Sequence, residues 1–266
     1  MSVPYVAHVT LNDSSSLDRN AFPGNLAFTR DLYLAFDSLV TFFVGENGSG
    51  KSTLLEAMAV LARLPISGGG MNEYGSNHAF DEQSTLAGSL RLSFVRQPKD
   101  RYFFRAETQS HFASLLEHRR DDPDFLLPGG VRADPFREYG GRSLHQMSHG
   151  EAFLSVMQNR FDQGLFLMDE PESALSPQRQ LGLLALMHNL VRNGKSQFFV
   201  ATHSPILLTF PGATIISFDH GPLEQIDLQE TSHFKITRDL LNNPDMYWRH
   251  LVATDNSSRT RRRTKP

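Results

Sequence analysis

The sequence predicts an α/β fold built on a buried strand, an anion-binding loop and a helix, and three observations lead there. Leu39 to Val44 is a short apolar run of the kind found in strands covered on both faces. It enters Gly45-Glu46-Asn47-Gly48-Ser49-Gly50-Lys51-Ser52-Thr53, a full match to G-x-x-x-x-G-K-[ST], and Leu54 to Leu64 continues at helical spacing. A second apolar run, Leu165 to Met168, ends in the adjacent carboxylates Asp169 and Glu170.

The elements follow in order. Val6 to Leu11 and Phe28 to Phe36 alternate as strands do, and are expected as edge strands beside Leu39 to Val44. After the helix, Ser67-Gly68-Gly69-Gly70 and the polar stretch from Asn72 to Ser84 read as a surface loop. Leu90 to Val95 and Tyr102 to Ala106 are strand-like, with a turn at Pro98-Lys99-Asp100, and Thr108 to Arg119 is helical. Prolines and glycines from Asp121 to Gly141 interrupt regular structure, which makes residues 108–147 a small helical arm inserted in the core. The amphipathic helix Ala152 to Phe161, the acidic strand, the helix Gln178 to Val191 and the strand Gln197 to Ala201 come next. Thr214 to Phe218 and Leu223 to Leu228 form a hairpin across Gly221-Pro222, and Thr237 to Leu251 is helical with a break at Pro244.

The 266 residues, 39% of them hydrophobic, suffice for a real core. No apolar stretch approaches bilayer-spanning length, and Met1 to Thr10 lacks the basic-then-apolar order of a signal peptide, so a cytoplasmic protein without a membrane span is expected. The absence of cysteine excludes disulfide frameworks and thiolate metal sites. A formal charge of −3 supplies no global attraction to nucleic acid or anionic lipid. Arg259, Arg261, Arg262, Arg263 and Lys265 form a basic tail over residues 253–266, after a single domain over 1–252. That tail could touch nucleic acid, but a solvated, disordered end is the reading its Ser/Thr-rich composition favours.

The residue types carry chemistry. Gly45, Gly48 and Gly50 let backbone N–H groups approach an anion at a helix N-terminus. Lys51 offers a cation to β- and γ-phosphates, and the Ser52 hydroxyl a ligand to Mg²⁺. Asp169, at the carboxyl end of a buried strand beside this loop, can hold Mg²⁺ through water, and Glu170 can orient or deprotonate the attacking water. His203, at the end of the next apolar strand, is placed for a γ-phosphate contact. Ser148 and Glu151, three apart before a helix, make a capping box. Tyr5, Phe22 and Arg19 remain alternatives for a contact to the base.

Taken together, GENGSGKST, SHGE, LFLMDEPE, SALS and ATHSP resemble, in order, the motifs of the ABC-type ATPase superfamily, over roughly Leu39 to Pro205. More narrowly, YGGRSLHQMSHGE, FFRAET and ATHSPILL look like small stand-alone bacterial ABC-like predicted ATPases of the AAA family. The resemblance implies a P-loop fold with a mixed central sheet, an antiparallel edge and a helical arm, and it implies ATP and Mg²⁺. It further implies a head-to-tail homodimer in which Ser148 and Gly150 of one copy contact the γ-phosphate held by Lys51 of the other. His149 stands where the usual signature has its first glycine. The glutamine that the family places ahead of its arm falls most naturally on Glu107, with Gln97 and Gln109 as alternatives, so the expected metal set is Ser52, Asp169 and Glu107.

An ATP-hydrolysing, dimerising switch on a soluble partner is the function expected. A transporter nucleotide-binding subunit shares the motifs, as does a compact DNA-repair ATPase. Coiled-coil SMC-like proteins are disfavoured, because about 95 residues without sustained heptads separate Thr53 from Ser148.

Overall fold

The structure is a computed structural model that describes residues 4–12, 17–71, 84–107, 109–122, 134–137, 140–160, 162–219, 221–249 and 251–252. Most of the expected surface loop (residues 72–83), most of the proline-rich stretch after Asp121, and the basic tail lie outside the described residues, whereas Gly69 and Gly70, expected in that loop, are buried in a strand. The chain divides into two compact units, Met1–Ile226 and Asp227–Pro266.

The first unit is built on a seven-stranded sheet. In chain order its strands are β3 (Val40–Val44), β4 (Gly69–Gly70), β6 (Arg101–Arg105), β7 (Gly164–Asp169), β8 (Ser196–Ala201), β9 (Thr214–Ser217) and β10 (Glu224–Ile226). Their spatial order is β10-β9-β3-β8-β7-β6-β4, with the five inner strands parallel and the outer strands β10 and β4 antiparallel. Parallel pairing puts the carboxyl ends of β3, β6, β7 and β8 on one rim, where α1 (Lys51–Leu61) begins.

Both faces of this sheet are covered, which is why its inner strands are largely apolar, with Phe at the centre of β3, β6 and β8. Phe43, Phe103, Leu165, Leu167 and Phe199 share a core with Leu54, Leu55 and Met58 of α1. Alternate neighbours point to the other face: Phe166 packs on Phe198, and Phe104 meets Phe153 of α3 (His149–Arg160) edge-on at 4.1 Å between centroids. The same face carries α4 (Pro177–Arg192), whose start is capped by the Ser176 hydroxyl accepting from the Arg179 N–H at 3.4 Å. The arm contributes α2 (Gln109–Asp121).

The expectation of edge strands beside β3 is overturned. β1 (Val6–Leu11) pairs instead with β2 (Tyr33–Ala35) and β5 (Leu90–Phe94) in a separate antiparallel sheet, because β8 and β9 already occupy both sides of β3. The turn at 98–100 therefore carries the chain from one sheet to the other. α1 packs against both, since Val6, Val9 and Leu90 join its core cluster. The buried Gln197 amide ties the sheets together, accepting from Val6 N–H at 2.8 Å and donating to Val6 O at 3.1 Å.

The strand expected over Phe28 to Phe36 shrinks to β2, and a 3-10 turn forms at Ala27–Thr29. Its cause is local: the buried Thr29 hydroxyl lies 2.8 Å from both Gly24 O and Leu26 O and closes the turn. The hairpin across Gly221 appears as β9 and β10.

The second unit holds a reciprocal capping box between Asp227 and Glu230, then α5 (Ser232–Asn242) and a further helical stretch at 244–249 after the break before Pro244. No residue of α5 is buried. Among the described residues no helix is long and apolar enough to cross a membrane.

Candidate active site

The loop between β3 and α1 is shaped by its glycines and held by its own lysine. Gly50 caps α1 at φ +100°, and a Cβ there would lie 2.6 Å from a ring carbon of Phe28, so both conformation and space demand glycine. Lys51 is buried, and its Nζ donates to Gly45 O at 2.7 Å and Glu46 O at 3.0 Å. Burial lowers its pKa, and the carboxylates of Glu170, Asp169, Asp219 and Glu46 oppose that shift. Asp219 follows β9 and accepts from the Glu46 N–H at 2.7 Å, which fixes the outer limb of the loop. Asn47 and Gly48 form the exposed tip, and Ser49, Ser52 and Thr53 are half-buried. The Ser49 hydroxyl oxygen is buried without a hydrogen-bond partner, as expected of a loop lined for an anion.

β7 delivers its carboxylates to the same rim. Ser52 Oγ donates to Asp169 Oδ1 at 2.9 Å, so two hard oxygen donors meet at the start of α1. Burial pushes the Asp169 carboxyl up to about 6, opposed by Arg105 and by the Ser52 hydrogen bond. Glu170 adopts the left-handed conformation at φ +47°, uncommon for a non-glycine residue and turned away from the strand direction. Its N–H donates to Ala201 O at 2.9 Å, and its carbonyl accepts from Ser173 Oγ at 2.9 Å. The half-exposed carboxylate lies 3.6 Å from His203 Nε2.

The signature region lies at the start of α3. Ser148 N–H donates to Glu151 Oε2 at 2.9 Å and Glu151 N–H to Ser148 Oγ at 3.3 Å, a complete capping box. Arg179, from the first turn of α4, donates to Ser148 Oγ at 3.1 Å and stands 3.5 Å from Glu151 Oε1. A Cβ on Gly150 would lie 2.3 Å from the Arg179 guanidinium and 2.9 Å from Ala174 O, so the glycine admits this contact within one chain.

The expected metal set is not fully assembled. Glu107 follows β6 with its side chain 79% exposed and faces Arg105 at 3.7 Å rather than Ser52 or Asp169. Gln97 precedes β6, at the opposite end of the strand, and accepts from Arg101. Gln109 opens α2. No group of three or more His, Cys, Asp and Glu residues that could hold a metal occurs among the described residues. Ser52 and Asp169 still fit Mg²⁺, which takes few protein ligands and completes its shell with phosphate oxygens and water. Tyr5 is removed from the base alternatives, since its hydroxyl bonds Lys195 O just before β8, at the far rim. Arg19 is engaged on Thr29 O, whereas Phe22 is exposed.

Residues 40–120 and 111–209 match the family model described as "AAA domain, putative AbiEii toxin, Type IV TA system". The chain belongs to this AAA family. It is an ABC-type ATPase, as its similarity to curated relatives also indicates. It is 21% identical to "Energy-coupling factor transporter ATP-binding protein EcfA2" of Leuconostoc mesenteroides, over 82% of this chain and 75% of the relative. It is 27% identical to "Hemin import ATP-binding protein HmuV" of Enterobacter cloacae, over 78% and 84% of the two chains. Against "Ribose import ATP-binding protein RbsA" of Lactococcus lactis the identity is 23%, and the match spans 74% of this chain but only 41% of the relative. The fold agrees with the solved structure titled "An inward-facing conformation of a putative metal-chelate type ABC transporter", with TM-score 0.50, 15% identity and coverage of 88% and 87%.

In this ABC-type ATPase several site residues escaped the sequence reading. Arg105 pairs with Glu56 at 2.9 Å and reaches to 3.7 Å from Asp169; its signal is the parallel register that sets Arg105 beside Asp169, which no local motif encodes. Glu172, Arg179 and Asp219 were missed for the same reason: each acts across elements distant in sequence.

The raised Asp169 pKa gives a signed prediction. A buried carboxyl whose folded pKa exceeds its ordinary 3.8 contributes stability while protonated, and that contribution disappears as the pH rises from about 4 through about 6. Asp169→Asn is therefore expected to raise unfolding stability at pH 7.5 by up to about 3 kcal/mol, with the gain fading near pH 5. Denaturant titrations at the two pH values check this, and a pH-independent difference would refute it.

Proposed function

We infer that this protein binds and hydrolyses ATP in a head-to-tail homodimer and so acts as a switch on a soluble partner protein. The observation that carries the reading is the single rim on which Lys51, Ser52, Asp169, Glu170 and His203 meet, while Ser148 heads a separate helix. The loop N–H groups and Lys51 bind and orient the phosphates. Ser52 and Asp169 would hold Mg²⁺, which when bound neutralises charge on the phosphate oxygens. Glu170 takes the proton of the attacking water, and His203 senses the γ-phosphate. Ser148 and the N-terminus of α3 serve the ATP of the partner copy, so loss of the γ-phosphate loosens the dimer.

Complementation tests the composite site. Lys51→Ala and Ser148→Arg are each expected to be inactive in steady-state ATP hydrolysis. A mixture of the two should regain activity, because a mixed dimer pairs an intact loop from one chain with an intact signature from the other. An inactive mixture that nevertheless forms mixed dimers would refute the arrangement.

A second reading is supported by the names of the relatives, which include a transporter ATP-binding protein and a hemin import ATP-binding protein. In that case the partner is a membrane subunit, and co-purification of the chain with one would favour it.

A further inference from the structure

Glu172 stands two residues beyond the proposed catalytic carboxylate, in the 3-10 turn Pro171–Ala174, and takes no part in the chemistry described above. It points inward. Its carboxylate accepts from Thr202 Oγ1 at 2.8 Å and from the His203 backbone N–H at 2.6 Å. Burial raises its pKa, and these bonds, with that from its own backbone, oppose the rise. A buried carboxylate costs free energy unless its lone pairs are met, so the two donors fix its place as firmly as it fixes theirs.

The turn it belongs to is joined to the loop after β8 at a second point. Gln180 of α4 donates to Leu175 O at 3.1 Å and accepts from Ser204 Oγ at 2.5 Å. Ser204 N–H in turn donates to Thr202 Oγ1 at 3.0 Å. Thr202, His203 and Ser204 are therefore held by the segment that follows Glu170, not by β8 alone. The His203 ring faces Glu170 at 3.6 Å, and its backbone is fastened to Glu172.

We propose that Glu172 is a positioning residue that holds the His203 ring at the γ-phosphate and couples it to the segment carrying Glu170. The inference rests on the reading of His203 as a γ-phosphate contact. A backbone N–H needs an acceptor at one place, and Thr202 Oγ1 is already an acceptor for Ser204. For the His203 N–H the position of one acceptor oxygen matters more than charge. Glu172→Gln keeps an oxygen for the His203 N–H and can donate to Thr202 Oγ1. Glu172→Met fills the space with no acceptor, and Glu172→Asp keeps the charge but withdraws it by one methylene.

The test is the ratio of ATP to ADP affinity, measured with fluorescent nucleotide analogues in a Glu170→Gln background, where turnover does not interfere. Thermal melts establish that each variant is folded, and Glu172→Asp stands in if Glu172→Met is not. His203→Ala is expected to lower the ratio by about tenfold, the worth of one charge-assisted hydrogen bond. Glu172→Met and Glu172→Asp should lower it as far, with ADP affinity unchanged, while Glu172→Gln stays close to the parent. In a His203→Ala background none of them should change the ratio further. The proposal is overturned if Glu172→Met and Glu172→Asp leave the ratio at the parent value, or if they lower it equally with and without His203. A parent ratio that does not respond to His203→Ala would instead refute the γ-phosphate contact, and the Glu172 role with it.

Discussion

Glu170→Gln is expected to lower steady-state ATP hydrolysis by about 10²–10⁴-fold, the usual contribution of a positioned general base, while ATP affinity changes little. The carboxylate projects from a backbone held at φ +47°, is half-exposed, and has the His203 ring 3.6 Å away. Replacing one oxygen by an amide keeps shape and removes basicity, so binding and chemistry separate. ATP should then hold the two copies together, and sizing chromatography with light scattering should show a dimer with ATP and a monomer with ADP. Hydrolysis at the wild-type rate would show that another group takes the proton. A variant that binds ATP yet stays monomeric would contradict the shared site.

Lys51→Ala is expected to weaken ATP binding by about two orders of magnitude, because the ammonium makes charge-assisted hydrogen bonds to phosphate oxygens in a site where burial already strips it of water. The structure adds a qualification to that magnitude. Nζ is engaged on Gly45 O and Glu46 O, so it must leave these carbonyls to reach a ligand, and its removal also loosens the loop. Calorimetric titration with ATP and with ADP measures the loss. An unchanged affinity for both would mean that the backbone N–H groups alone hold the phosphates.

Much of this molecule is legible along the chain because its decisive signals are local. Strands buried on both faces are mostly apolar, so Val40–Val44, Gly164–Asp169 and Ser196–Ala201 announce themselves as runs that lead into functional residues. The phosphate loop is contiguous because one turn and one helix start supply most of its donors. Ser148 and Glu151 are legible as a capping box for the same reason: both halves of the interaction lie within one helical turn.

Whatever depended on register or on contacts between distant segments had to wait for the tertiary structure. Alternation along β1 and β2 fits a strand but not its partners, and only the occupied flanks of β3 sent them to a second sheet. Glu107 has the sequence position expected of a metal contact, yet its side chain is largely exposed and lies 3.7 Å from Arg105, which also pairs with Glu56 and reaches Asp169. Glu172 looks like one more acid after Asp169 and Glu170 until the fold buries it under Thr202 and His203. The sequence by itself determined that a glycine-rich loop of the phosphate-binding pattern, two adjacent carboxylates and a histidine lie at strand ends of an α/β chain. Tertiary packing decided which side chains hold those groups in place, because a hydrogen bond between residues 30 apart leaves no period or motif in the chain.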